Sequence, residues 1–194
     1  MASIWNWLVT RWNWPGAAAF CGVALLVISP VVWIGFGPAI FWVFVQLPFY
    51  MLHQLEEHAG DRFRMFANQV IGGGTEVLSR RATFVINSVG VWGVDLTAIY
   101  LAILVSPGWG LVAMYLPLVN SVMHVGQALL LRRYNPGLIT AIVLFIPGAT
   151  LGIFVVCSQV AVSWTMQISA LATAIAIHAL IIVHVKRMLK HHAR

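Results

Sequence analysis

Acidic residues are scarce in this chain. Among its 194 residues there are three Glu and two Asp, against eleven Lys and Arg. All charged residues together make up 8% of the sequence, whereas a soluble domain carries roughly a quarter. Runs of about twenty apolar residues recur instead, which is the length that crosses a bilayer core. The composition excludes a soluble globular domain and predicts an all-α, polytopic membrane protein.

Cysteine is nearly absent as well, with only Cys21 and Cys157 present. Two thiols that are distant in sequence provide neither a disulfide framework nor a zinc site built from thiolates. Both fall in or beside apolar runs, and we expect them to be small buried apolar residues.

The N-terminal stretch is rich in tryptophan. It reads IWNWLVTRWNWPG, with four Trp around a single Arg11. Indole rings favour the level of the lipid headgroups, so this stretch predicts a short segment lying in the membrane interface. It lacks the basic start and the small-residue cleavage site of a signal peptide.

The apolar runs predict six transmembrane helices in a single integral membrane domain, residues 1–194. The spans are expected at about 17–36, 38–58, 83–104, 109–131, 137–157 and 164–186.

The basic residues predict the orientation of these spans. They fall before the first span, in the second and fourth connections, and after the last span: Arg11, Arg62, Arg64, Arg80, Arg81, Arg132, Arg133, Lys186, Arg187, Lys190 and Arg194. The alternate connections, around 37, 105–108 and 158–163, contain no Lys or Arg. By the positive-inside rule both termini are cytoplasmic. Since the basic residues are spread over short loops, we expect no nucleic-acid partner.

The polar stretch 59–82 has a helical pattern of its own. Phe63, Phe66 and Val70 recur on one side, which predicts an amphipathic helix on the cytoplasmic leaflet. Gly72, Gly73 and Gly74 follow as a hinge. The segment is either a solvated linker or a lid over a site.

Two of the five acids are adjacent in the motif HQLEEH, residues 53–58. On a helix, His53, Glu56 and Glu57 share a face about 100° wide, whereas His58 points away from that face. A helix end that meets water would also be polar, so the motif needs support from other spans.

Other spans bring polar groups to a similar depth. In the fourth span Asn120, His124 and Gln127 form one stripe, with His124 roughly 10 Å inside the boundary. The third span contributes Asn87 and, deeper, Asp95. The sixth contributes His178, at a depth that matches His124, and His184, which we interpret as interfacial. Ionisable groups within spans are costly and usually face a shared interior.

His and Glu together are typical ligands of zinc, iron or manganese, and we favour zinc. In a hydrolase, His53, His124 and His178 would bind the metal with one of Glu56 and Glu57, and the other would accept a proton from metal-bound water. In a two-iron centre both glutamates would be ligands, since His-x-x-Glu resembles, in reverse order, the ligand pair of di-iron bundles. Asn87, Asn120, Gln127 and Asn135 would support the site or bind substrate.

The turn RRYNPG, residues 132–137, is predicted near the same cytoplasmic level as these metal-ligand candidates. Asn135 and Pro136 suit a helix N-cap and first helical position. Arg132 and Arg133 satisfy the topology rule, and they are also suited to hold an anionic headgroup.

His53, Glu56 and Glu57, with Asn120, His124 and the YNPG turn, resemble the HXXEE family of small bacterial integral membrane proteins. The resemblance covers most of the chain and implies the bacterial inner membrane, but it implies no settled reaction. Glu56, Glu57 and Arg62 are also similar to the Glu-Glu-Arg of CAAX-type intramembrane glutamate proteases, with different spacing and with the Asn and His in reversed order.

We therefore predict a metal-dependent membrane enzyme with a lipidic or hydrophobic substrate, and a hydrolase before a di-iron oxidoreductase. A proton-coupled transporter or metal-ion carrier is the non-enzymatic alternative, and a structural role is a third. Against transport, the sequence has no internal repeat and its polar residues stop near mid-membrane.

Overall fold

The computed structural model describes residues 4–192, and within that range the chain is helical with no strand. Arg194, which contributes to the orientation argument, lies outside the described residues. Ten α-helices follow one another: α1 Ile4–Thr10, α2 Trp14–Phe44, α3 Gln46–His58, α4 Arg62–Phe66, α5 Arg80–Val85, α6 Gly93–Leu104, α7 Val112–Leu131, α8 Leu138–Thr140, α9 Ile146–Gln159 and α10 Trp164–His192. Short 3₁₀ segments (Ala59–Asp61, Pro107–Leu111) and π-helical segments (Ala67–Ile71, Ile86–Trp92, Ala141–Phe145) join several of them.

Within the described residues, five continuous helical stretches are long and apolar enough to cross a membrane, so this is a membrane protein. Those stretches are Trp14–Ile71, Arg80–Leu104, Pro107–Leu131, Leu138–Gln159 and Trp164–His191.

The first stretch, of 58 residues, folds back on itself. Gly37 leaves the helical conformation at φ 82 and ψ 175, and Pro38 follows it. A Cβ atom added at Gly22 would lie 3.1 Å from the carbonyl oxygen of Pro48. The rings of Trp14 and His58 are 5.1 Å apart. The stretch therefore forms two antiparallel arms that meet near residue 37, as the predicted first and second spans do.

Small residues let the helices approach closely. A Cβ added at Gly110 would lie 2.6 Å from Val43, and one added at Gly148 would lie 2.6 Å from Phe49. Packing through glycine is typical of membrane helices, which gain little from burying apolar surface away from lipid.

Several basic connections lie at one end of the bundle, near Trp14 and His58. The Nε atom of Arg80 is 3.4 Å from Asp61, and the Arg133 guanidinium lies 5.7 Å from the centre of the Phe66 ring. α1 packs at the same end, where the rings of Trp5, Trp12 and Trp14 contact Phe84. The side of the membrane that this end faces stays a prediction.

The segment after α3 is helical over 62–71, as its amphipathic pattern predicts. The side chain of Asn68 joins this helix by hydrogen bonds to residues 77 and 78, which follow the glycine turn at 72–74. Its Oδ1 atom accepts hydrogen bonds from the backbone N–H groups of Val77 and Leu78 at 3.0 and 2.9 Å, and its Nδ2 atom donates to the Leu78 carbonyl.

Two local expectations are wrong. Cys21 and Cys157 are exposed on the outside of the bundle rather than buried, although the Cys157 sulfur accepts a hydrogen bond from Gln167 on α10 at 3.1 Å. Asn135 does not cap a helix, since α8 begins two residues later than expected, with Gly137 at the N-cap.

Candidate metal centre

A buried cluster joins the second and fourth spans. Its members are His53 and Glu57 on α3 and His124 on α7, and their ligand atoms all lie within 4.8 Å of one another. Glu57 Oε2 lies 3.5 Å from His53 Nε2, and Glu57 Oε1 lies 3.6 Å from His124 Nε2. The three side chains are almost inaccessible, with 0%, 7% and 3% exposure for His53, Glu57 and His124.

Hydrogen bonds to the far ring nitrogens orient both imidazoles. His124 Nδ1 is 2.6 Å from Asn135 Oδ1, while Asn135 Nδ2 donates to the His124 carbonyl. Because the amide oxygen only accepts, Nδ1 carries the proton, and the Nε2 lone pair faces Glu57. His53 Nδ1 is 2.7 Å from the Thr140 hydroxyl, which itself donates to Glu56 at 2.5 Å. Because this hydroxyl gives its proton to Glu56, it accepts a hydrogen bond from His53 Nδ1–H, and the His53 Nε2 lone pair therefore faces Glu57.

Glu56 does not join this cluster. Its Oε1 atom accepts from the Tyr134 hydroxyl at 2.8 Å and from the Ile139 N–H at 3.1 Å. Its Oε2 atom accepts from both the N–H and the hydroxyl of Thr140. Glu56 thus binds the N-terminal N–H groups of the fifth span, where a carboxylate is favoured by the helix dipole.

The turn 134–137 closes over the cluster. Partial burial of the phenol and its hydrogen bond to Glu56 raise the pKa of Tyr134, so this residue stays a protonated donor. A Cβ atom added at Gly137 would lie 2.6 Å from His124 Cε1 and 2.8 Å from His53 Cε1. Only glycine fits between the two rings, and its φ of 100 also favours glycine.

His58 lies beside the cluster, contrary to the helical-wheel argument. α3 ends here, and at φ −115 the His58 backbone has left the ideal helical conformation. Its Nε2 atom is 3.0 Å from Glu57 Oε2, without the alignment of a hydrogen bond.

A cavity of about 400 Å³ opens from the cluster toward α10. Glu57, His58 and His124 line one part of it, and apolar side chains of α10, the 62–71 helix and the third span line most of the rest. Asn120 and Gln127 also line it, and each has a buried amide oxygen with no partner among the described residues.

Other sequence-predicted residues contact the cavity without joining the cluster. His178 lines it and bonds through Nδ1 to the Ala174 carbonyl at 2.9 Å. Asn87 lines it and accepts from Gln54 at 3.0 Å.

The remaining candidates lie outside the cluster. Arg132 and Arg133 are exposed, His184 lies outside both the cluster and the cavity lining, and Asp95 is buried with no hydrogen bond to a described residue. Sequence reasoning missed Thr140 entirely. The only sequence feature that points to Thr140 is its position three residues after the YNPG turn, in the first turn of the next helix.

Comparison with known proteins supports the motif. A family model described as "Protein of unknown function with HXXEE motif" matches residues 42–152, more than half of the chain, and this range contains the whole cluster. No curated protein and no solved structure matches the chain.

Proposed function

Because the chain belongs to the HXXEE family, and two residues of that motif lie in the buried cluster, we propose a membrane-embedded, metal-dependent enzyme. His53, Glu57 and His124 bind one divalent transition metal, with zinc favoured. The reaction is the hydrolysis of a lipidic or other hydrophobic substrate.

The spacing of the three side chains carries the proposal. The separations of 3.5 and 3.6 Å between Glu57 and the two histidines are longer than normal hydrogen bonds. They are close to the roughly 3.3 Å edge of a tetrahedron whose ligands lie about 2.0–2.1 Å from zinc. Two imidazoles with an outer hydrogen bond each, plus one carboxylate, match the set of catalytic zinc sites that leave a fourth position for water.

The role of Glu56 favours one metal over two. A two-metal centre needs five or six ligands, often with a bridging carboxylate. Four hydrogen bonds hold Glu56 at the turn and the start of the fifth span. Three ligand residues remain, which supports the hydrolase over the di-iron oxidoreductase.

The cavity supports a hydrophobic substrate. Its volume of about 400 Å³ lies within the usual range for ligand sites, and its mostly apolar lining suits an acyl or similar chain. The amide groups of Asn120 and Gln127, together with His58 and His178, are available to bind polar groups next to the bond that is cleaved. A metal at the cluster would supply an activated water and polarise the attacked carbonyl.

The distribution of basic residues supports a location in the cytoplasmic half of a bacterial inner membrane, with both termini cytoplasmic. Arg132 and Arg133 are exposed near the site and are suited to contact an anionic headgroup.

Metal content tests the proposal directly. Detergent-purified protein without a metal-binding tag is analysed by plasma mass spectrometry, as parent, His53→Ala and His124→Ala. His184→Ala is the control, because it removes a histidine outside the cluster. We expect near-stoichiometric zinc in the parent and the control and its loss in the two cluster variants. Two irons per chain would support the oxidative alternative, and parent protein without metal after chelator-free preparation would overturn the proposal.

A further inference from the structure

A second cavity, of about 340 Å³, lies next to the first. Its lining is polar where the first is apolar, and it includes Thr10, Asn13, Asp61 and Arg80. Arg80 is exposed, and its pairing with Asp61 at 3.4 Å places an ion pair in the wall of this cavity. A charged wall is compatible with bulk water and incompatible with lipid chains.

The two cavities share two residues, His58 and Thr83. The His58 ring is buried between two aromatic rings, with centroid distances of 5.1 Å to Trp14 and 5.9 Å to Phe63. Trp14 lines the polar cavity, whereas Phe63 lines the apolar one. The His58 ring therefore stands beside Thr83 as a partition between the two cavities, with its Nε2 atom 3.0 Å from Glu57 Oε2.

A buried hydrolytic centre needs separate access for water, because an apolar cavity filled by substrate excludes it. We propose that the polar cavity is the aqueous access to the His53–Glu57–His124 cluster, with the His58 ring as the partition that separates it from the hydrophobic cavity. Water enters and small polar products leave on this side, while the hydrophobic substrate occupies the other. The inference rests on the proposed function for its purpose, although the access route itself is tested without metal or substrate.

Cysteine labelling tests the route. Cys21 and Cys157 are first replaced by Ala, and single cysteines are then introduced as Thr83→Cys, Pro15→Cys or Ile86→Cys. Pro15 is a buried residue that lines only the polar cavity, Thr83 is buried where the two cavities meet and lines both, and Ile86 lines only the apolar cavity. Ile86 lies three residues after Thr83, so it provides a matched control at nearly the same depth. A charged, membrane-impermeant thiosulfonate is applied separately to each side of membrane vesicles.

We expect the Thr83→Cys and Pro15→Cys variants to react from one side only, and at least about tenfold faster than Ile86→Cys. The reason is that thiolate and charged reagent are both disfavoured in an apolar cavity. Adding His58→Ala to Ile86→Cys is expected to raise the labelling rate at position 86 toward that at position 83. If Thr83→Cys fails to fold, Pro15→Cys gives the same comparison.

Two results would overturn the inference. Labelling at positions 83 and 15 as slow as at position 86 would show that no aqueous route reaches His58. Equally fast labelling at all three positions, or a rate at position 86 that His58→Ala leaves unchanged, would show that His58 separates nothing. Metal content is measured on the same preparations, so failure of the metal proposal is recognised separately from failure of the access route.

Discussion

Two adjacent glutamates of the motif have different surroundings, and substitution should separate their roles. Glu57 faces two histidine Nε2 atoms, whereas Glu56 binds the start of the fifth span. We expect Glu57→Gln to lose bound metal. We expect Glu56→Gln to retain metal at saturating zinc but to lose about 1–2 kcal/mol of folding stability, because charge-assisted hydrogen bonds to backbone N–H groups are lost.

Thermal unfolding in chelator, alongside metal content, measures both effects. Glu76→Gln is the control, since Glu76 is exposed and pairs with Arg64 at the surface, and a change within about 0.5 kcal/mol is expected there. Loss of metal in Glu56→Gln with full retention in Glu57→Gln would contradict the assignment.

The Thr140 hydroxyl links Glu56 to the outer nitrogen of His53. Removing such a support typically lowers metal affinity by about 10–100-fold. We expect this loss in Thr140→Val and near-parental affinity in Thr140→Ser, measured by competition with a chromophoric chelator. Thr173→Val removes an exposed hydroxyl that bonds only to the Ser169 carbonyl among the described residues, and it should change nothing. Equal affinity of the Val and Ser variants at position 140 would argue against this support.

At the scale of single residues, the sequence predicts part of the candidate site. The i, i+4 spacing places His53 and Glu57 together, and depth matching adds His124. Glu56 is expected to share the face of His53 and Glu57 but lies outside the cluster. Adjacent residues of a helix point about 100° apart, and this difference directs Glu56 to the start of the fifth span. His58 and Thr140 were not predicted, because their positions depend on where α3 ends and where the fifth span begins.

The turn between the fourth and fifth spans is the element that assembles the cluster. Asn135 orients His124, and Gly137 lies against both imidazoles with a φ of 100. We expect Gly137→Ala to cost at least about 1–2 kcal/mol from backbone strain alone, and to displace the rings and weaken zinc binding. Thermal unfolding and chelator competition measure these losses.

Gly126→Ala on α7 is the matched control for this turn. A Cβ atom there has nothing within 4 Å, and we expect unchanged stability or a gain of up to about 1 kcal/mol from higher helix propensity. Parental stability and zinc affinity in Gly137→Ala would show that the turn does not hold the two histidines.

Elements are more predictable than contacts because hydropathy and length constrain them. The predicted break near 37 corresponds to the reversal at Gly37, and the helical pattern at 59–82 corresponds to the helix over 62–71. The position of the segment after the glycine turn depends on hydrogen bonds from Asn68 to residues 77 and 78, and no periodic pattern in the sequence identifies Asn68 for this role.

At the scale of the whole molecule, the cluster lies near the end of the bundle that carries Arg80 and Arg133. Glu57 is one residue from the end of α3, and His124 is seven residues before the end of α7. A site near one surface can receive a substrate from the bilayer and exchange water with the adjacent aqueous phase, whereas a transport route must continue to the other surface. Depth and lining together are therefore the observations on which the proposed enzyme, rather than the carrier alternative, rests.

Orientation in the membrane is the remaining expectation at this scale, and it follows from charge rather than from packing. The connections around 105–108 and 158–163 contain no Lys or Arg, whereas the opposite connections and the end of α10 carry them. A reporter that is active only outside the cytoplasm should be active when it is fused after residue 106 or 161, and inactive when it is fused to the carboxyl terminus. A periplasmic carboxyl terminus would reverse the bundle and move the proposed metal site and its proposed polar access to the outer leaflet, where the proposed enzyme would meet a different set of lipids.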